Sequence, residues 1–203
     1  MTQFTPENWE NAEGRYWTTL FNTISGPRSA VLIGTQNVEG IGNIGLFNSL
    51  VHIGAKPPLL GFIIRPTTMR RDTYENILEN KHYTVNLISE PILDQAHQTS
   101  AKYDAEQDEF NTVGLEKEFI ADFEAPFVKA SPIKLGLTLV EEHLIKKNGT
   151  RLIVGEIKLV DISPDLIHED GSVNTTKAQT ILASGLSAYH THQFLTKKEY
   201  AKP

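Results

Sequence analysis

Apolar residues along the chain gather in short runs rich in β-branched side chains, the signature of strands. SAVLIGT (29–35), NIGLF (43–47), LLGFIIR (59–65) and HYTVNLIS (82–89) are the first four. LGLTLVEEHLI (135–145) and TRLIVGEIKLVDI (150–162) are longer, and the KKNG between them carries Asn148-Gly149, a pair that favours a hairpin turn. QTILAS (179–184) contributes a last short strand. Helical signals lie between and outside these runs. Thr5-Pro6-Glu7 marks a helix start, and a helix over about 13–24 ends before Gly26-Pro27. Tyr74, Ile77 and Leu78 are spaced to face a core from a short helix over about 72–79. Pro91 suits the first turn of another helix near 91–100, whereas 101–118 is polar and loop-rich. Strands thus follow one another with few helices between them, and the longest pair is antiparallel. This pattern predicts a mainly β fold with peripheral helices, a closed or nearly closed antiparallel barrel rather than a doubly wound sheet.

Composition narrows the function. The 203 residues contain no repeat, low-complexity stretch or linker, so one domain over 1–203 is expected. With 25 acidic against 19 basic residues and a net charge of -6, a general nucleic-acid surface is not expected. A few arginines concentrated in one loop remain compatible with a phosphate site. The absence of cysteine excludes disulfides, thiolate zinc sites, iron–sulfur clusters and a cysteine nucleophile. The N-terminal residues lack a basic segment followed by an apolar run, and no stretch reaches the ~18 apolar residues of a membrane helix. A cytoplasmic protein without membrane contact is the expectation.

Residues 65–80, RPTTMRRDTYENILEN, hold the densest positive charge ahead of a helix. Asp72 and Glu75 fit the N-cap and N3 positions of a capping box, which starts the helix at about Thr73. Arg70 and Arg71 then precede free N–H groups at the positive end of the helix, with the hydroxyls of Thr67, Thr68 and Thr73 nearby. Guanidinium forks match phosphate oxygens. Asp72 as the cap would compete for the same N–H groups, so a capped surface helix with two solvated arginines is the competing reading. GIGNIG (40–45) matches G-x-G-x-x-G, but TQNVE (35–39) stands between the apolar part of the preceding strand and this motif, and Pro57-Pro58 soon follow. Arg65, not an acid, stands twenty residues on from Gly45. These glycines read as turn residues or as room for a flat ligand. His190 and His192 share a strand face, yet no acid has a ligand spacing to them, and no metal site is expected. Ser25, Ser49, Ser184 and Ser187 lack a nucleophile-elbow setting.

Three segments, in order, resemble the flavin reductase-like, FMN-binding split-barrel family. They are GNIGLFNSLVHIGAKPPLLGFIIRP (42–66), RRDTYENILENKHYTVNLIS (70–89) with its Thr-x-x-Asn helix, and DEFNTVGLE (108–116). The resemblance implies a six-stranded Greek-key split barrel with a core over about 25–190 and an N-terminal helical extension over 1–24. It also implies a homodimer with FMN near the subunit interface. Phe47, Asn48 and Ser49 match the segment along the isoalloxazine, where backbone groups can serve the ring's polar edge. Arg65, Thr68, Arg70, Arg71 and Thr73 match the region around the FMN phosphate and ribityl chain, and FAD could use the same loop. The implied activity is hydride transfer from NAD(P)H to bound flavin, with electrons passed to free flavin, a partner enzyme or another small acceptor. The chemistry is flavin-borne, so no side chain is named as catalytic. The family's Arg-Leu-Gly-Gly segment followed by Tyr departs here to ASGLSAY: Gly185 and Tyr189 are kept, while Ala183 and Leu186 replace the arginine and the second glycine. That departure bears on the nicotinamide pocket and keeps open a non-catalytic FMN-binding or electron-transfer protein. A barrel scaffold that binds no flavin is the third reading.

Overall fold

In the computed structural model, which describes residues 1–202, seven strands form one sheet whose pairings are all antiparallel. In chain order the strands are β1 (Arg28–Ser29), β2 (Val31–Gln36), β3 (Gly42–Phe47), β4 (Val51–Ala55), β5 (Pro58–Ile64), β6 (His82–Leu87), β7 (Lys117–Glu118), β8 (Phe127–Val128), β9 (Ile133–Ile145), β10 (Thr150–Ile162), β11 (Leu182–Ser184) and β12 (Ala188–His190). The helices are α1 (Tyr16–Thr23), α2 (Asp72–Asn80), α3 (Leu93–Gln98) and α4 (Glu109–Val113). The large sheet runs β3-β2-β6-β9-β10-β5-β4, and a three-stranded sheet, β1-β11-β12, flanks it.

Chain connectivity curls this sheet. Its two edges, β3 and β4, are consecutive in sequence and joined only by Asn48, Ser49 and Leu50. Four Cα steps span at most about 14 Å, so the outermost strands must approach each other without pairing. The result is a barrel split along one seam, the architecture expected from the strand pattern.

Packing explains why β2 reads as an unbroken apolar run. Val31, Leu32, Ile33, Gly34 and Thr35 are all buried. Leu32 joins Ile44, Ile88, Phe110, Val128 and Ile181 on one face. Val31 and Ile33 join Phe62, Tyr83, Leu137 and Ile153 on the other. A strand covered on both sides loses the polar alternation of a half-exposed one. β10 must bend past the largest of these side chains. A register shift falls at Val154/Gly155, and a Cβ on Gly155 would stand 2.1 Å from the Tyr83 hydroxyl oxygen.

Edge strand β3 is closed by side chains instead of by another strand. Asp108 accepts from the Gly42 N–H (3.0 Å), and Glu109 accepts from the Ile44 N–H (3.0 Å). Asp108 also caps α4 through the Asn111 N–H (3.1 Å) and pairs with Lys117. Burial works against the Asp108 charge, but Lys117 and the N–H groups of Gly42 and Asn111 hold its pKa below the usual carboxylate range. Burial pushes Glu109 up to about 7, against the pull of Ile44 N–H, and the charges of Asp72 and Asp108 push the same way. The DEF motif is therefore a strand-edge cover, a device that hides unpaired N–H groups.

Four local expectations need correction. The first α-helix begins at Tyr16 rather than 13, because Gly14 takes φ +83° just before it. The VHIGA segment forms β4, a seventh strand in the main sheet; its four exposed residues, Val51, His52, Ile53 and Ala55, hid it from an apolar-run reading. The helix near 91–100 divides into a 3₁₀ turn, Glu90–Ile92, and α3. The stretch 101–118 contains α4 and β7.

Two outcomes follow from this packing. Gly155→Ala should cost about 1–3 kcal/mol in urea unfolding, since the buried Tyr83 ring must be displaced. Glu109, with a raised folded pKa, binds its proton more tightly in the native state, so its contribution to stability is lost as pH rises from about 4.5 through 7. Glu109→Gln should remove that loss and exceed the wild type in stability at pH 8. Allowing for solvent on its open side, we expect ~1 kcal/mol. Thermal melts of both proteins from pH 5 to 8 measure it.

Candidate functional site

Helix α2 is fastened to the sheet by buried amides and hydroxyls, not by apolar contacts alone. Asn43 on β3 donates to Thr35 (3.2 Å) and to Thr73 (2.9 Å), and Asn76 donates to the same Thr35 hydroxyl (3.1 Å). Asn80 adds a bond to the Gln36 carbonyl (2.6 Å). Thr35, Asn43, Thr73 and Asn76 are all buried. Buried polar groups with satisfied partners fix one arrangement, because every slipped one strands a donor. The Thr-x-x-Asn spacing is thus a docking device that sets where the helix begins.

That beginning differs from the capping box read in the sequence. The helix starts at Asp72, Arg71 is the N-cap, and no side chain caps it. Asp72 turns instead to Arg70, accepting from its Nε at 2.8 Å, and Glu75 lies 3.5 Å from the same atom. The competition foreseen between Asp72 and an anion is therefore absent: the N–H groups of Asp72 and Thr73 have no acceptor among the described residues. The two arginines also part company. Arg70 is exposed and already paired with acids. Arg71 is half-buried, makes no ion pair among the described residues, and carries a buried Nε without any partner. A guanidinium nitrogen hidden from water and left unbonded is costly, and an anion at this helix start would satisfy it.

The seam loop supplies the second wall. Ser49 substitutes for backbone pairing with β5: its hydroxyl accepts from the Ile63 N–H (3.0 Å) and lies 3.4 Å from the Ile63 carbonyl. Asn48 donates its side-chain amide to the Gly185 carbonyl (2.7 Å), and its own carbonyl accepts from Arg28 Nε (2.8 Å). Both side chains are occupied, whereas the N–H groups of Asn48, Ser49 and Leu50 have no acceptor among the described residues. Phe47 leans edge-on against Phe62, ring centroids 5.1 Å apart.

Gly45 shows that these two walls meet. A Cβ there would lie 3.1 Å from the Phe47 ring and 3.5 Å from the Thr73 hydroxyl. The space left by this glycine, one of those read from the sequence as turn residues or as room for a flat ligand, is taken by the Phe47 ring and the Thr73 hydroxyl, which brings the seam end of β3 against the helix start. Phe47, Asn48, Ser49, Arg71 and Thr73 belong to this place. Arg65 and Thr68 are exposed on the loop leading to it, and Arg70 faces Asp72. A cavity of about 20 Å³ beside the helix, lined by Asn43, Arg70, Asp72, Asn76 and Glu109, has room for a water and none for a cofactor.

Sequence reasoning missed Arg28, which holds the seam loop from β1; a lone arginine ahead of a strand carries no local signal. It assigned no structural role to the Gly185 turn, which takes φ +63° between β11 and β12 and packs against Thr23 of α1. His190 and His192 do not converge: His190 bonds Ser184 (2.7 Å) and His192 bonds Thr175 (2.9 Å). Tyr189 meets His97 (2.7 Å). No described helix is long and apolar enough to cross a membrane.

Known proteins share this arrangement. The profile described as "Flavin reductase like domain" matches residues 25–177. A split-barrel protein of Shewanella frigidimarina NCIMB 400 assigned to the flavin reductases superposes with a TM-score of 0.94, at 40% identity over 99% of this chain and all of that one (100%). Nitrilotriacetate monooxygenase component B from Bacillus cereus gives 0.84 at 18% identity, covering 98% of each chain. The FMN-binding protein from Thermus thermophilus gives 0.74 at 20%, covering 97% of this chain and 100% of that one. With the profile spanning most of its length and a 40%-identical split-barrel protein covered from end to end, the chain belongs to the flavin reductase-like family with a split-barrel fold.

Proposed function

We propose that the protein is an FMN-dependent oxidoreductase of flavin reductase type, with NAD(P)H as electron donor and free flavin, a partner enzyme or another small molecule as acceptor. The unbonded, buried Nε of Arg71 beside the free N–H groups of α2 carries this reading. A terminal phosphate brings about -1.5 to -2 charge and three acceptor oxygens, which fits this set of donors. Thr73 accepts from Asn43, so its own O–H remains free to donate to the same group. The N–H groups of residues 48–50 suit the carbonyl-rich edge of an isoalloxazine, and Phe47 with Gly45 provides a flat apolar face.

Bound FMN would supply the two-electron chemistry. The chain's part is to bind, orient and shield: Arg71 and the helix start hold charge, the seam loop holds the polar edge, and Phe47 excludes water from one side. Arg65 and Thr68 stand within the same loop for the outer phosphate oxygens. FAD, which also carries phosphate, is compatible with the same donors. A second reading, an electron-transfer protein that does not oxidise NAD(P)H itself, is favoured by Ala183 and Leu186 in the β11–β12 turn. Asn48 holds that turn against the seam, so its composition bears directly on what can reach the site.

The unit is proposed to be a homodimer. Edge strand β4 leaves Val51 and Ile53 exposed. These are apolar positions on an unpaired edge, suited to a second copy of the chain.

Flavin fluorescence titrations should show FMN bound far more tightly than riboflavin. Arg71→Ala should weaken FMN roughly 10–100-fold, the worth of a hydrogen bond to a charged group, with riboflavin unchanged. Arg70→Ala should do much less, because Asp72 already neutralises it. Equal weakening of both flavins by Arg71→Ala would remove the phosphate assignment. Anaerobic mixing with NADH or NADPH should bleach the flavin absorbance; an unbleached spectrum with both selects the electron-transfer reading.

A further inference from the structure

The arginine loop, residues 65–71, is bracketed by side chains from the far end of the β9–β10 hairpin that no flavin chemistry requires. Arg151 on β10 pairs in register with Ile64, the last residue before the loop. Its Nε donates to the Thr67 hydroxyl at 3.3 Å, inside the loop. Its Nη1 pairs with Glu142 on β9, and both side chains are largely buried. Glu142 accepts from the Tyr74 hydroxyl at 2.8 Å, in the first turn of α2 where the loop ends. The Arg151 guanidinium also lies over the Tyr74 ring, 5.2 Å from its centroid. Gly149, in the hairpin turn, adds a contact: a Cβ there would sit 3.5 Å from Pro66.

The loop is therefore gripped at both ends. Pro66 and Thr67 are held as it leaves β5, and Tyr74 is held as it enters α2. Arg151 is neutralised by Glu142, so it is a brace and not a spare cation. We propose that Arg151, Glu142 and Tyr74 are positioning residues that hold the loop in its anion-ready geometry and so set the preference for a phosphorylated over an unphosphorylated flavin. This rests on the phosphate reading of Arg71. A phosphate bound by several donors gains only if they are already aimed, since ordering a loop at binding consumes affinity.

The alternative is that Arg151 is itself a phosphate ligand restrained by Glu142, and the two make opposite predictions. Glu142→Gln and Tyr74→Phe are compared with the wild type by titration with FMN and riboflavin, and by amide hydrogen exchange of the apo-protein. If the trio braces the loop, Glu142→Gln weakens FMN about tenfold and Tyr74→Phe about threefold, magnitudes expected for single hydrogen bonds. Riboflavin then stays within about twofold, and exchange over residues 65–74 quickens while β2 and β6 keep their protection. Unchanged or tighter FMN binding by Glu142→Gln, equal weakening of both flavins, or unaltered exchange in the loop would each overturn the proposal. A wild type that binds FMN and riboflavin equally would remove the phosphate reading, and this inference with it.

Discussion

Everything at the candidate site depends on a short tether. Three residues join the two outermost strands of a seven-stranded sheet, and a chain that short forces the sheet to curl until its edges nearly meet. The edges do not bond, so the backbone between them keeps hydrogen-bonding capacity that a closed barrel would consume. Ser49 ties the tether to β5, Arg28 ties it to β1, and Asn48 ties it to the β11–β12 turn. The side chains do the fastening, which leaves the N–H groups of residues 48–50 without acceptors among the described residues. A surface made this way is rigid without being sealed.

Charge is arranged with similar economy. The protein is acidic overall, yet the helix start at Asp72 gathers three arginines with three different fates. Arg70 is satisfied by Asp72, Arg65 lies in solvent, and Arg71 is half-buried with its Nε hidden and unsatisfied. Crowding alone therefore says little about which arginine binds an anion; burial and the lack of a carboxylate partner decide it. The polar network beneath the helix makes the distinction possible. Thr35, Asn43, Thr73 and Asn76 lock α2 in place, which fixes the backbone from which Arg71 projects.

Much of this fold was legible in the sequence, for identifiable reasons. The β9–β10 hairpin announced itself through two long β-branched runs around Asn148-Gly149, and the structure pairs them over twelve positions from Thr150↔Ile145 to Ile162↔Ile133. The continuous run at 29–35 reflected a strand buried on both faces. β4 was missed because half its neighbours are solvent and because the prolines after it suggested an interruption. The Asp72 cap failed since a capping box is a local rule, and here Arg70 offered Asp72 a stronger, charged partner. Phe47, Asn48 and Ser49 were singled out only through resemblance to a family, whereas Arg71 and Thr73 already stood out as donors at a helix start; the structure gives Asn48, Ser49 and Thr73 mechanical roles. Arg28, Glu142 and Arg151 were invisible: each acts across more than eight residues of sequence, where no periodicity or spacing could report it.

The unbonded N–H groups of the seam have an evolutionary corollary. Peptide N–H groups are the same whatever side chain they carry, so substitutions at these positions are constrained only by the path of the chain and by the fastenings behind it. Recognition would then survive extensive drift at the very residues that touch a ligand, while the positions under selection would be those that brace the loop from elsewhere. Relatives at 18–20% identity with nearly the same shape are what such an arrangement permits.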